Sequence, residues 1–145
     1  LVNDGLLHMP DTAAIRYDPK ESNTDSIAMA AAHIAEEQRV TAIASLSYSG
    51  QTARLISSRR PRTPILAITT MQSVARRMSM LWGVSSIVVD SLTTTDETIE
   101  HIKALLVKEK TFPAGSVIVF TIGRPLVGRA RTNMISIETL EAAGR

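Results

Sequence analysis

The sequence predicts a three-layer α/β/α domain built on a five-stranded sheet that is mostly parallel, with an antiparallel last strand. Runs that are largely apolar, such as Val40–Leu46 and Pro64–Thr69, alternate with segments in which apolar residues recur at helical spacing. Such unbroken apolar strands are typical of parallel sheets covered by helices on both faces. The last two strands lie too close in sequence for an intervening helix, which favours an antiparallel pair.

The elements follow one another in a regular order, and each has local signals at its ends. The second helix is stopped by Pro61 and Pro64, and Gly83 ends the third. In chain order we predict a helix capped at Asn23–Asp25, a strand Val40–Leu46, a helix Thr52–Arg60, a strand Pro64–Thr69, a helix Gln72–Leu81, a strand Ser86–Val89, a helix starting at Thr95–Glu97, and strands Ser116–Thr121 and Thr132–Ile137.

Composition limits the classes of protein that are possible. A length of 145 residues corresponds to one domain, and 44% hydrophobic with only 3% aromatic residues implies an aliphatic core. No apolar run approaches the roughly 18 residues of a membrane span, so we expect no membrane association. The first ten residues do not resemble a secretory signal. The absence of cysteine excludes a disulfide framework and fits a reducing cytoplasm, and the three histidines are too dispersed for a metal site.

The net charge of +2 raises nucleic acid as a possible partner. Basic residues cluster at Arg59–Arg62, Arg76–Arg77 and Arg124–Arg131. The chain nevertheless has too few aromatic residues for base stacking and contains no recognition motif. We therefore expect a solvated surface or an anion pocket and no nucleic-acid partner.

A short polar loop between a strand and a helix is the strongest functional signal. Ser47, Ser49 and Thr52 surround Gly50 directly after the strand Val40–Leu46. A helix start offers unpaired N–H groups and a partial positive charge, the glycine allows a positive φ or a close approach, and hydroxyls donate to phosphate oxygens. The local pattern alone fits equally well a serine that only caps the helix.

The position of this loop in the predicted sheet favours the phosphate interpretation. Ligands of open α/β sheets bind beyond the carboxyl ends of the strands. The loop at Ser47, the pair Thr69–Thr70 and the segment Gly123–Arg131 all begin at such ends.

Four stretches in order resemble the C-terminal domain of pyruvate kinases. The helix Asn23–Ala35 is similar to the first helix of that domain, and Ala42–Arg54 is similar to its strand followed by a T/S-x-S/T-G-x-S/T turn. Pro64–Val84 resembles the next strand and helix, and Gly123–Asn133 resembles the closing G-x-P-x-G-x-x-G-x-T-N segment. The resemblance covers residues 20 to 140 approximately and assigns 21–145 to this domain, with 1–20 as a linker or the remnant of a preceding domain.

The resemblance implies a regulatory role and no catalysis by this chain alone. In pyruvate kinases, phosphoryl transfer between phosphoenolpyruvate and ADP occurs in a separate barrel, which needs Mg and K ions; no cofactor is implied for this chain. The C-terminal domain forms subunit contacts and in many members binds a phosphorylated effector, so a homo-oligomer is expected. The residues implied in effector binding are Ser47, Ser49, Gly50, Gln51, Thr52, Arg129 and Arg131.

Departures from the family pattern refine the expected effector. Gln51 removes a cation that some members place against the phosphate, and Ala130 replaces a usual glycine. Arg129 and Arg131 can supply the missing charge. The segment Leu92–Glu97 lacks the Trp or Arg that eukaryotic members use on a second phosphate. These departures favour a monophosphate effector, or none, over a sugar bisphosphate, and the effector expected is a sugar monophosphate or a nucleotide monophosphate.

Two other functions remain open at this level. One is a free-standing protein that binds or acts on a phosphorylated metabolite, which would need a general base or a metal ligand beside Ser47. The other is a structural module in which the loop is only a helix cap. A catalytic barrel encoded upstream in the same reading frame would favour the pyruvate kinase domain over both.

Overall fold

The computed structural model describes residues 19–124, 126 and 131–142, with side chains from residue 23 onward. The described part contains four helices and five strands. In chain order they are α1 (Pro19–Glu37), β1 (Ala42–Leu46), α2 (Gln51–Ser58), β2 (Ile65–Thr69), α3 (Gln72–Met78), β3 (Val84–Val88), α4 (Thr95–Lys108), β4 (Val117–Ile122) and β5 (Met134–Thr139).

The strands form one sheet in the order β3-β2-β1-β4-β5. The first four strands pair in parallel, and β5 runs antiparallel to β4. The predicted sheet, including the direction of its last strand, is therefore confirmed. Because β1 lies at the centre with β2 and β4 on either side, the loop that follows it opens at the middle of the carboxyl edge.

Alternate residues of the central strands belong to two separate hydrophobic cores, one on each face of the sheet. Ala44 and Leu46 face the side covered by α4, together with the fully buried Phe120. Ile43 and Val119 face the opposite side, which α1, α2 and α3 cover. Both faces of the sheet are thus buried, which explains why the central strands read as unbroken apolar runs.

Several element boundaries differ from the predicted ones. The first helix begins at Pro19, so Asn23–Asp25 lies inside it and is not its cap; proline is well suited to a first helical turn. Helix α3 ends at Met78, three residues early, because a series of turns leads to Gly83 at φ 69°. Consequently β3 begins at Val84, two residues before the predicted start.

The last two elements also shift. Strand β5 covers Met134–Thr139, since Thr132 and Asn133 are engaged in the contacts described below. Helix α4 is capped by Thr94, whose hydroxyl accepts from the Glu97 amide at 3.3 Å, so Thr95 is its first residue. None of the helices in the described part of the chain is long and apolar enough to cross a bilayer.

Candidate functional site

A cavity of about 690 Å³ opens at the carboxyl edge of the sheet. The loop after β1 forms its floor, with Ser47, Ser49, Gln51 and Thr52 in the lining. Gly123, at the end of β4, closes another side. The cavity therefore lies where the topology of a parallel sheet places ligands. It is lined by the polar loop that the sequence indicated, residues 47–52, which we call the hydroxyl loop.

The other walls of the cavity are mixed in character. Leu55 and Leu92 contribute apolar surface, and Thr24 and Asp25 of α1 contribute polar surface. The Asp25 carboxylate accepts from the Arg59 guanidinium at 3.4 Å, an exposed ion pair that connects α1 to the end of α2. The cavity can thus hold a group with one anionic end and a less polar body.

The hydroxyl loop turns sharply at Gly50, which has φ 82° and forms the N-cap of α2 without a side-chain cap. A Cβ atom on Gly50 would lie 2.3 Å from Sδ of Met78 on α3. The positive φ that the sequence suggested is confirmed. The close approach at this glycine involves α3, because the Cα–Cβ direction points at Met78.

Both serines of the loop accept hydrogen bonds from its own amides. Ser47 Oγ accepts from the Gly50 N–H at 2.8 Å, and Ser49 Oγ accepts from the Gln51 N–H at 3.3 Å. Ser49 thus has a cap-like contact, although Gly50 is the N-cap residue. A hydroxyl that accepts through a lone pair keeps its own proton, so each serine still has a donor to offer to an anion.

Two long-range hydrogen bonds connect this loop to the segment between β4 and β5. Tyr48 Oη donates to the Leu126 carbonyl at 3.1 Å. Thr52 Oγ1 and Thr132 Oγ1 share a buried hydrogen bond of 2.5 Å. The closing segment is therefore hydrogen-bonded to the hydroxyl loop at Leu126 and at Thr132.

Cations lie on two sides of the site. Arg131 lines the cavity, whereas Arg129 lies outside the described residues. Arg77 of α3 donates to the Ser49 carbonyl at 3.3 Å, so a guanidinium is held against the hydroxyl loop from outside the cavity. Arg131 therefore borders the cavity, and Arg77 contacts the loop from its outer side.

Thr69, at the end of β2, was also expected to lie near the ligand site, but its hydroxyl makes a structural hydrogen bond. Thr69 Oγ1 accepts from the Met71 amide at 3.2 Å, next to the start of α3. Groups of three or more His, Cys, Asp or Glu residues that could hold a metal ion are absent from the described part of the chain.

Tyr48, Leu126 and Thr132 line the cavity, although sequence reasoning gave none of them a role of its own. The contacts of Tyr48 and Thr52 span 78 and 80 residues, and no local pattern reports such pairs. The sequence signal for Thr132 is its position in the closing segment, next to Arg131. Asp25 was interpreted as part of a helix cap, so its place on the cavity wall was also unexpected.

The fold and the site define a three-layer α/β domain with a hydroxyl-lined cavity at the start of its second described helix. Comparison with known proteins gives the family. The model of the pyruvate kinase alpha/beta domain matches residues 25–138, and the chain belongs to that family.

Individual relatives agree with this assignment. The chain is 35% identical over 126 residues to a pyruvate kinase of Lactococcus lactis, covering 87% of this chain and 25% of that one. It is 32% identical over 124 residues to a pyruvate kinase of Geobacillus stearothermophilus, covering 83% and 21%. A crystal structure of a pyruvate kinase from Cryptosporidium parvum superposes with a TM-score of 0.71 at 27% identity, covering 81% of this chain and 22% of that one. The chain thus spans about a fifth to a quarter of the length of these relatives.

Proposed function

We propose that this chain is the effector-binding and self-associating domain of a cytoplasmic pyruvate kinase. The parent reaction is phosphoryl transfer between phosphoenolpyruvate and ADP, giving pyruvate and ATP. Phosphoryl transfer needs metal ions and cationic groups placed around the transferring phosphate, and the described residues of this chain contain no cluster of potential metal ligands. We therefore expect the purified 145-residue chain to form no pyruvate from these substrates.

One observation carries the effector-binding part of the proposal. Three hydroxyl groups and the start of α2 converge on the floor of one cavity. The serine hydroxyls keep protons to donate, and the helix start adds its dipole. A phosphate group is an acceptor with two negative charges, and this arrangement is matched to it.

The shape and charge of the cavity support an effector with a single phosphate. Among the described residues that line the cavity, the cation is Arg131. The segment after β3 contributes the apolar side chain of Leu92 to the lining. A second phosphate would therefore meet an apolar wall. We propose a sugar monophosphate or a nucleotide monophosphate as the effector.

The test is a calorimetric titration of the chain with ribose 5-phosphate, glucose 6-phosphate and AMP, each compared with its dephosphorylated form. We expect at least one phosphorylated compound to bind below millimolar concentration, and its dephosphorylated form to bind much more weakly. Thr52→Val should weaken that binding about tenfold, which corresponds to about 1.4 kcal/mol. Ser58→Ala is the matched control, because Ser58 is an exposed hydroxyl at the opposite end of α2.

The proposal fails if none of the three compounds binds below millimolar concentration. It also fails if Thr52→Val binds as tightly as the parent chain, since the loop would then serve only to begin the helix.

A further inference from the structure

We propose that Thr132 is a positioning residue of this phosphate site and acts through the hydroxyl of Thr52. The inference rests on the proposed function, because it concerns the same hydroxyl loop. The two threonines would form a hydroxyl relay, in which Thr132 donates a hydrogen bond to Thr52 and Thr52 donates one to the phosphate.

The two threonines that carry these hydroxyls are buried. Thr52 is 2% exposed and Thr132 is 6% exposed, although both border the cavity. Their oxygens are 2.5 Å apart, and among the described residues neither hydroxyl has a second hydrogen-bond partner. Each hydroxyl carries one proton, so without a ligand either threonine can be the donor.

An anion in the cavity removes this ambiguity. A phosphomonoester dianion accepts hydrogen bonds and donates none, so a Thr52 hydroxyl that contacts it must point its proton to the phosphate. The oxygen of Thr52 can then only accept from Thr132, and the pair stays satisfied. A hydroxyl that accepts one hydrogen bond donates more strongly in a second, particularly where water is excluded. Thr132 thereby strengthens a contact that it does not itself make.

Thr132 is also held in place independently of Thr52. The Asn133 side chain accepts from the Arg124 amide and donates to the Arg124 carbonyl, both at 2.9 Å. The backbone N–H of Asn133 donates to the Ile122 carbonyl at 3.0 Å. These bonds fix the backbone beside Thr132, so removal of its hydroxyl should leave the segment in position.

The opposite arrangement predicts an effect of opposite sign. If Thr52 had to donate to Thr132 in the bound state as well, phosphate would compete with Thr132. Removal of the Thr132 hydroxyl would then tighten phosphate binding, whereas the relay requires that it weaken.

The experiment is a titration of the full chain with methyl phosphate at a pH where it is a dianion, monitored by the amide NMR shifts of Gly50, Gln51 and Thr52. The proteins compared are the parent, Thr132→Val, Thr132→Ser, Thr52→Val and the double variant of Thr132→Val with Thr52→Val. We expect Thr132→Val to weaken binding about threefold to tenfold, the range for one net hydrogen bond, and Thr132→Ser to restore it.

The double variant separates the relay from a general structural role. If Thr132 acts through Thr52, Thr132→Val has no further effect once Thr52 has lost its hydroxyl. Thr132→Ala removes the same hydroxyl without adding a methyl group and should reproduce the loss, which covers a failure of Thr132→Val to fold.

Three results would overturn the relay. They are unchanged or tighter binding in Thr132→Val or Thr132→Ala, failure of Thr132→Ser to restore binding, and an undiminished effect of Thr132→Val in the Thr52→Val background. If Thr52→Val weakens binding while one of these results is found, the phosphate site stands and only the relay is wrong. If the parent chain binds no phosphate at this loop, both are wrong.

Discussion

Gly50 combines two local requirements that its neighbours do not share. Its backbone has φ 82°, and a Cβ atom would meet Sδ of Met78 at 2.3 Å. Gly83, at φ 69°, has the first requirement without the second, because nothing described beyond its two chain neighbours lies within 4 Å of its Cβ position. The two glycines therefore allow the backbone cost and the packing cost to be separated.

We expect Gly50→Ala to lower the free energy of unfolding by about 2–3 kcal/mol, and Gly83→Ala by about 1 kcal/mol. The difference is the cost of displacing Met78, whose flexible end can give way in part. Urea unfolding of both variants measures it. Equal losses in the two variants would show that Met78 moves aside freely.

At the scale of single residues, the sequence could predict what depends on local geometry. The positive φ of Gly50 follows from residue type and position. The partner of Thr52 could not be predicted, because Thr132 is brought close only when β4 and β5 pair. The contact of Gly50 with Met78 was missed for the same reason.

Among the elements, α4 and the edge strand β5 are joined by a largely buried cation. Lys103 of α4 has a side chain that is 11% exposed, and it donates to Glu100 at 3.2 Å and to Glu138 of β5 at 3.3 Å. Burial by itself would lower the pKa of Lys103, but the hydrogen bonds with Glu100 and Glu138 outweigh it and raise the pKa above 10.5. The charged form is thus favoured in the folded state.

This raised pKa gives a definite sign to the dependence of stability on pH. The contribution is fully present below the unfolded pKa of about 10.4 and is lost as pH rises through the higher folded pKa. We expect Glu138→Gln to lower the free energy of unfolding by about 1–2 kcal/mol at pH 7 and to reduce the alkaline loss.

Glu100→Gln is the matched control for this prediction. The Glu100 side chain is 69% exposed, so its removal should cost less than about 0.5 kcal/mol. Denaturant unfolding at pH 7 and at several alkaline values measures both variants. A larger loss for Glu100→Gln than for Glu138→Gln would contradict the assignment of the buried pair.

The order of the elements was predictable, whereas their ends were less so. The apolar runs of β1 and β2 and the short connection before β5 determine the sheet directly. The end of α3 at Met78 was not predictable from its apolar spacing, because Leu81 continues the helical period after the helix has stopped. Pro19 as the start of α1 was missed because Asn23–Asp25 has the composition of a cap.

At the scale of the whole molecule, two strands lie at the edges of the described sheet, and several apolar side chains are exposed. β3 and β5 are the edge strands, and Ile137 on β5 is 46% exposed. An open edge with an apolar residue is a usual place for strand pairing between chains. We therefore expect the chain to self-associate through β5.

Sedimentation velocity at high micromolar concentration tests this expectation. The parent chain should form a dimer or a larger species, and Ile137→Lys should reduce association at least tenfold by placing a charge on that edge. Val88→Lys, on the opposite edge strand, is the control and should associate like the parent. A parent chain that is monomeric at that concentration, or a selective effect of Val88→Lys, would contradict the role of β5.

We have proposed that the hydroxyl loop holds the phosphate group of an effector. A crystal structure of the chain grown with ribose 5-phosphate tests it most directly, because it locates the phosphorus atom. We expect the phosphate at the start of α2, with oxygens within about 3 Å of Ser47 Oγ, Ser49 Oγ and Thr52 Oγ1. The claim would be contradicted by an empty loop at saturating ligand. It would equally be contradicted by a phosphate bound only in the groove beside Arg39 and Arg62, which lies at the amino ends of β1 and β2.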